Sequence, residues 1–490
     1  MSKDGALFLG FDVGTQGTKA LVIDGARSEV VARASRGYGL LPGLPPGHME
    51  QHPDTWLEAV AATGREVLQH VDRSRIAGLA VSGQQHGCVV LDGAGQVVRP
   101  AKLWCDTATA AEARELGEQL GRAVPAGFTA SKLVWLKRHE PANWARVRSV
   151  LLPHDWVNLR LTGEPSMECG DASGTGFFAP AARAFDRAAM AAIDPHLAGL
   201  LPPLRGAGEL AGRLSAAGAA LLGLPPGIPV AAGGGDNMMA AIGSGATRAG
   251  VVVVSLGTSG TVFTRTDAPV QDPGSAIAPF CSSDGAWLPL LCVMNLTGVT
   301  EEVKLLTGLD HATLTTKAAK VPLGCDGLLW LPFLLGERVP DLPAATGTLL
   351  GMRPGLLRPG YLYRAALEGT SLNLGAGLDR LRALGTKVDE VRLVGGAAQN
   401  TLWRQILADV FGVPVRPLLE AEAAALGAAL QAAWTVRRIG GEVSLTTDDV
   451  ARPFVRLADA VDPDPASVPA IAALRVRFAA ELKRLHPESS

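Results

Sequence analysis

The chain has 490 residues, 47% hydrophobic and 19% charged, with a formal net charge of −2 and a pI near 6.5. That length exceeds one ordinary core, so two large domains are expected, and the near-neutral balance draws neither nucleic acid nor anionic lipid. Any phosphate chemistry must therefore come from local geometry. The six cysteines (Cys88, Cys105, Cys169, Cys281, Cys292, Cys325) show no pair at metal-ligand spacing and read as reduced thiols of a cytoplasmic protein. Lys3, Asp4 and Asp12 break the first apolar run before a leader could form, and the longest apolar stretch, Leu328 to Leu335, contains Pro332 and is too short to span a membrane.

Short β-type runs alternate with helical ones, the signature of an α/β protein. Leu7 to Phe11 and Ala20 to Ile23 are apolar and flank a turn from Asp12 to Lys19 that holds Gly14, Thr15, Gln16 and Thr18. Such a strand–turn–strand unit presents backbone N–H groups and hydroxyls to phosphate oxygens. Asp12 would face them through Mg²⁺, which is commonly held by one or two carboxylates plus phosphate oxygens. Lys19 adds a point charge there, or is a solvated strand residue. A helix is expected over Asp54 to His70, behind Pro53. Next, Ser82 to Gly87 lies between apolar runs, and its Gln85 and His86 offer donors and acceptors suited to sugar hydroxyls. Trp104 and Asp106 would add an apolar face and a carboxylate. The alternative is a polar strand end with a satisfied histidine.

A second helix follows at Thr107 to Leu120. Gly233, Gly234 and Gly235 then leave room for close approach to the backbone, and Asp236 and Asn237 stand where a strand gives way to a helix. Asp236 is either a helix N-cap or an ionised carboxylate that accepts a hydroxyl proton late in phosphoryl transfer; the two are compatible. The first unit then returns: Val251 to Val254, a turn with Gly257, Thr258, Ser259 and Gly260, then Val262 and Phe263. This repetition predicts two related domains, residues 1–243 and 244–490, and without a low-complexity linker they should pack around a cleft. A helix over Leu362 to Leu384 precedes a strand from Val391 that runs into Gly395, Gly396, Ala397 and Asn400, ahead of a helix to Phe411. Small residues at a helix start suit a nucleotide. The Ala-rich helix from Ala421 to Trp434 should be buried.

Taken in order, these segments resemble the FGGY carbohydrate kinases over nearly the whole chain. Asp12 to Lys19 is similar to that family's first phosphate motif, Gly257 to Gly260 to its second and Gly395 to Asn400 to its adenosine motif. Gly127 to Trp135 matches the N-terminal signature. Leu349 to Met352 with Arg364 to Glu368 matches the C-terminal one, where Tyr361 departs from the usual polar residue. The resemblance implies two ribonuclease-H-like domains, as in actin and hexokinase, closing an interdomain cleft on ATP, Mg²⁺ and a small sugar. It makes Asp236 the catalytic base, puts Gln85, His86 and Asn237 on a ketose, and gives Asp12 the magnesium. Gln84 to Gly87, Gly233 to Asn237, Gly336 to Arg338 and Glu50 to Pro53 are most like the branch that phosphorylates D-xylulose. Ribulose, sedoheptulose and sugar alcohols stay open, because fold and phosphate motifs do not separate them; a homodimer stays open too. An actin-like ATPase would have no need of Gln85 and His86, and a dinucleotide dehydrogenase would require a glycine spacing that the first turn lacks.

Overall fold

A computed structural model describes residues 5–487; Lys3 and Asp4 lie outside the described residues. Strands β1 (Leu7–Val13), β2 (Gly17–Asp24) and β3 (Glu29–Gly37) form an antiparallel meander. Helix α1 (Pro53–Val67) begins at a proline, whose preset φ and missing N–H suit a first turn. It leads to β4 (Ile76–Gly83), which pairs parallel with β1. Helix α2 (Pro153–Thr162) and strands β5 (Leu210–Arg213), β6 (Pro229–Ala231) and β7 (Gly234–Gly235) follow, and the chain then enters α3 (Asp236–Gly243). The sheet order is β5-β6-β4-β1-β2-β3, with β7 also pairing with β4.

The second half repeats the plan. Strands β8 (Gly250–Leu256), β9 (Gly260–Thr264), β10 (Ala278–Cys281) and β11 (Trp287–Val293) precede helices α4 (Thr297–Thr307) and α5 (Pro359–Ala383). Then come β12 (Val388–Val394), α6 (Thr401–Phe411) and β13 (Val415–Pro417), in a sheet ordered β10-β11-β9-β8-β12-β13. Both sheets centre on a glycine-turn hairpin, with a third antiparallel strand on one side and a parallel strand on the other. The repeated Gly–Thr turns of the sequence are thus the same corner of two like sheets.

Helix α7 (Ala423–Ile439) is the predicted Ala-rich buried helix, extended at its C-terminal end. It follows the second sheet in the chain but packs on the first, where Leu426 and Leu430 join Phe8, Leu21, Met239 and Ile242 in one apolar cluster. Glycine and alanine make this approach close. A Cβ on Gly10 of β1 would lie 2.1 Å from the Ala425 carbonyl, and one on Gly427 would lie 1.8 Å from the Met239 carbonyl of α3. Among the described residues no helix is long and apolar enough to cross a membrane.

Candidate active site in the interdomain cleft

The strand–turn–helix from β6 through β7 into α3 delivers Asp236. Gly235 is the N-cap and Asp236 the first helical residue, so the capping role considered for Asp236 falls to its neighbour. Asp236 Oδ1 accepts from the Asn237 backbone N–H (2.7 Å) and from Asn237 Nδ2 (2.9 Å). Asn237 Nδ2 also donates to Gln85 Oε1 (2.9 Å), and Thr261 Oγ1 on β9 donates to Asn237 Oδ1 (3.1 Å). One short network therefore joins the two halves of the chain. Burial, with Asp12 and Asp171 nearby, pushes Asp236 up to about 8. Burial thus works against the ionised form that a base requires, and a positive charge brought by the substrates would restore it. Asp12, at the end of β1, accepts from Ser82 Oγ (2.9 Å), and burial pushes it up against the pull of Lys19.

On the acceptor side, Gln85 is buried and its Nε2 has no hydrogen-bond partner. His86 follows in the left-handed region (φ 64°), an uncommon conformation for a residue with a side chain, and its buried Nδ1 is also unpartnered. Its ring lies 4.9 Å from that of Phe128 and 5.8 Å from that of Phe280, which comes from β10. Gly174 makes room for it, since a Cβ there would sit 1.8 Å from His86 Cε1. Burial, then Lys132 and Arg338, hold the imidazole well below its ordinary pKa, so it is neutral. Trp104 Nε1 donates to Thr15 Oγ1 (2.9 Å), joining this loop to the first turn. Asp106 has another task. Its oxygens accept from Met49 N, Ala108 N and Lys102 Nζ, so its acceptors are already engaged within the protein. With His48 and Glu50 it forms a trio of metal-like spacing, but the Lys102 ammonium lies among them at 2.9–3.2 Å.

The first turn is braced more than it is bare. Thr15 Oγ1 donates to Gln84 Oε1 (2.9 Å), and Thr18 Oγ1 lies 3.2 Å from the Tyr38 hydroxyl, which itself donates to the Gly14 carbonyl (2.8 Å). Both hydroxyls are thus engaged with protein, and exposed Gln16 stands at the tip. Lys19 is neither free nor merely solvated: its ammonium pairs with Glu422 at 2.6 Å. The second turn is more open. The N–H groups of Leu296 and Thr297 tie the Thr258 and Gly257 carbonyls to the start of α4. Among the described residues none hydrogen-bonds to the Thr258 or Ser259 hydroxyl. Gly395 (φ 92°) packs beside the end of β8, with no space for a Cβ next to the Leu256 carbonyl. Gly396 and half-buried Ala397 follow, with Gly396 exposed and unobstructed. Asn400 instead caps α6 through Trp403 N (3.1 Å) and holds Thr315 (3.0 Å).

Several residues about the site were given no role by the sequence, although Gln51 and Phe128 lie within its motif segments. Gln51 Nε2 donates to the Thr15 carbonyl (2.7 Å), and its Oε1 accepts from Gln84 and Trp56, so it props the first turn. Phe128 and Phe280 wall in His86. His154, fully buried on α2, lies between Asp171 (2.7 Å) and Asp155 (3.2 Å); burial opposes its charge, but the two acids hold it up at about 9. The available signal was polarity inside apolar stretches, which must find partners once buried.

These features define a two-domain phosphotransferase for a small hydroxylated acceptor. Residues 7–243 match the N-terminal domain of the FGGY family of carbohydrate kinases and residues 252–436 its C-terminal domain, so the chain belongs to that family. It is 40% identical to the xylulose kinase of Haemophilus influenzae over 446 residues, covering 87% of this chain and 90% of that one. Identity to the xylulose kinase of Streptomyces coelicolor is 41%, covering 88% of each. The crystal structure of xylulose kinase from Rhodospirillum rubrum superposes with a TM-score of 0.89 at 30% identity, covering 99% of both chains. The fold is therefore the two-domain actin- and hexokinase-like one, and the activity is phosphoryl transfer from ATP to a carbohydrate.

Proposed function

We propose that the acceptor is a ketose, D-xylulose above all, phosphorylated on its terminal hydroxyl. The observation that carries this reading is the pair of buried, unpartnered polar atoms on adjacent residues, His86 Nδ1 and Gln85 Nε2, the latter on a side chain bound to the network that holds Asp236. Buried polar atoms without partners are costly, and adjacent hydroxyls of a sugar would supply them. The xylulose kinases that are 40% and 41% identical to this chain over 446 residues make that ketose the first choice.

In this reading Asp236 accepts the proton of the terminal hydroxyl while that oxygen bonds to the γ-phosphorus and the bond to ADP breaks. Neutral His86 and Gln85 fix the acceptor, and Phe128 and Phe280 exclude water on its apolar side. The turns at Gly14–Lys19 and Gly257–Ser259 face the phosphates, with the nucleotide along Gly395–Ala397. Asp12 is suited to Mg²⁺: one oxygen accepts from Ser82, no other described donor reaches it, and burial pushes up both it, against the pull of Lys19, and Asp236, where Asp12 and Asp171 add to the effect. The ion would neutralise phosphate charge and favour the ionised form of Asp236. Residues 1–243 would then carry sugar and first phosphate turn, and residues 244–490 the nucleotide. All six cysteines are free, in keeping with a cytoplasmic enzyme, and a homodimer stays open.

ADP release with ATP and Mg²⁺ across ketoses, aldoses and polyols tests the reading. Strong stimulation by D-xylulose is expected; preference for another sugar would move the acceptor and leave the kinase.

A further inference from the structure

Between β6 and β7 the chain takes one step too many. Val230 pairs with Leu79 and Gly234 with Ser82, so four steps on one strand oppose three on β4. This is a β-bulge, and its effect is to change which face the following residues present. The bulged residue is Gly233, with φ 77° and no room for a Cβ, which would lie 2.3 Å from the Val81 carbonyl. Its N–H and carbonyl fall outside the ladder. Both are taken by one side chain: Gly233 N–H donates to Gln431 Oε1 (2.9 Å), and Gln431 Nε2 donates to the Gly233 carbonyl (2.9 Å). The same Nε2 donates to the Ser283 carbonyl (3.2 Å), in the loop between β10 and β11. Gln431 is fully buried in the middle of Ala-rich α7, where a polar residue survives only with its partners made.

We propose that Gln431 is a positioning residue for phosphoryl transfer: its carboxamide stands in for the missing strand partner at Gly233 and so sets the frame in which Asp236 and Asn237 reach the cleft. The proposal rests on the reading of Asp236 as the base. It also assigns α7 a purpose beyond packing, since the helix ties the catalytic loop to the Ser283 loop of the second sheet.

Gln431→Met keeps the length and removes all three hydrogen bonds, the two with Gly233 and the one to Ser283. Because misplacing a catalytic group by about 1 Å costs on the order of 10²-fold, kcat should fall about 30- to 100-fold while the KM for ATP stays within about twofold. Gln431→Glu is the sharper test. A protonated acid again offers one acceptor and one donor to Gly233, whereas the ionised form repels its carbonyl. The surrounding ionisable groups are His154 with Glu168 and Asp171 behind Gly233 and Gly234, Asp284 beside Ser283, and Asp236 at the head of α3. Most are acids, which favours the protonated form. The kcat of Gln431→Glu relative to the parent at the same pH should therefore rise as pH falls. A Met variant with kcat within twofold of the parent, or a Glu variant whose deficit ignores pH, overturns the proposal; if the Met variant does not fold, the Glu series decides alone. Asp236→Asn is run alongside. If it is inactive while Gln431→Met is fully active, the base reading stands and this inference falls; if it stays active, the base reading falls by its own result.

Discussion

Asp236 is a carboxylate kept where burial and two neighbouring acids oppose its charge, and this has a consequence for stability. Its folded pKa of about 8 lies above its ordinary value of 3.8, so between these the folded protein holds a proton that the unfolded chain has released. The contribution of this residue to stability is therefore present at low pH and lost as pH rises towards about 8. Asp236→Asn should raise the melting temperature of the unliganded protein at pH 8 more than at pH 5, while lowering turnover by about 10²- to 10⁴-fold. A melting temperature that shifts equally at both values would show that the acid is not held protonated. At His86 the prediction concerns binding. Loss of a ring nitrogen that meets the acceptor should raise the sugar KM about tenfold in His86→Ala, with the ATP KM within about twofold; steady-state kinetics with each substrate varied separates the two.

Among the elements, α3 and α7 decide where Asp236 stands. They touch backbone to backbone at Gly427, and a Cβ there would lie 1.8 Å from the Met239 carbonyl. Neither helix can yield cheaply, so Gly427→Ala should cost about 1–3 kcal/mol, seen as a lower denaturant midpoint, and should reduce kcat because α3 carries Asp236 at its start. Wild-type stability in that variant would mean the helices slide freely. Most elements were legible from local pattern: the helices expected at Asp54, Leu362 and Asn400 begin at Pro53, Pro359 and Thr401. The docking of α7 was not. An Ala-rich stretch announces burial, but nothing in its own residues says which of two similar sheets will cover it.

Across the whole molecule the cleft is closed by residues far apart in sequence. Phe280 from the second sheet meets His86 from the first half, and Thr261 reaches Asn237. Removing the ring in Phe280→Ala should admit water, so phosphate release from ATP without sugar should rise relative to sugar phosphorylation; an unchanged ratio would assign water exclusion to other residues. The motifs that bind and transfer phosphate are short-range, with glycines and hydroxyls within a few residues of a strand end, and for that reason sequence alone determined the family, the two-fold repeat of the sheet plan and the candidate roles of Asp12, Asp236, Gln85 and His86. Tertiary structure alone decided that Asp106 belongs to Lys102, that Lys19 belongs to Glu422, and that Gln431 holds the bulge before Asp236. Each of those pairings depends on which distant backbone or charge arrives beside a side chain on burial, and that is a property of packing rather than of spacing along the chain.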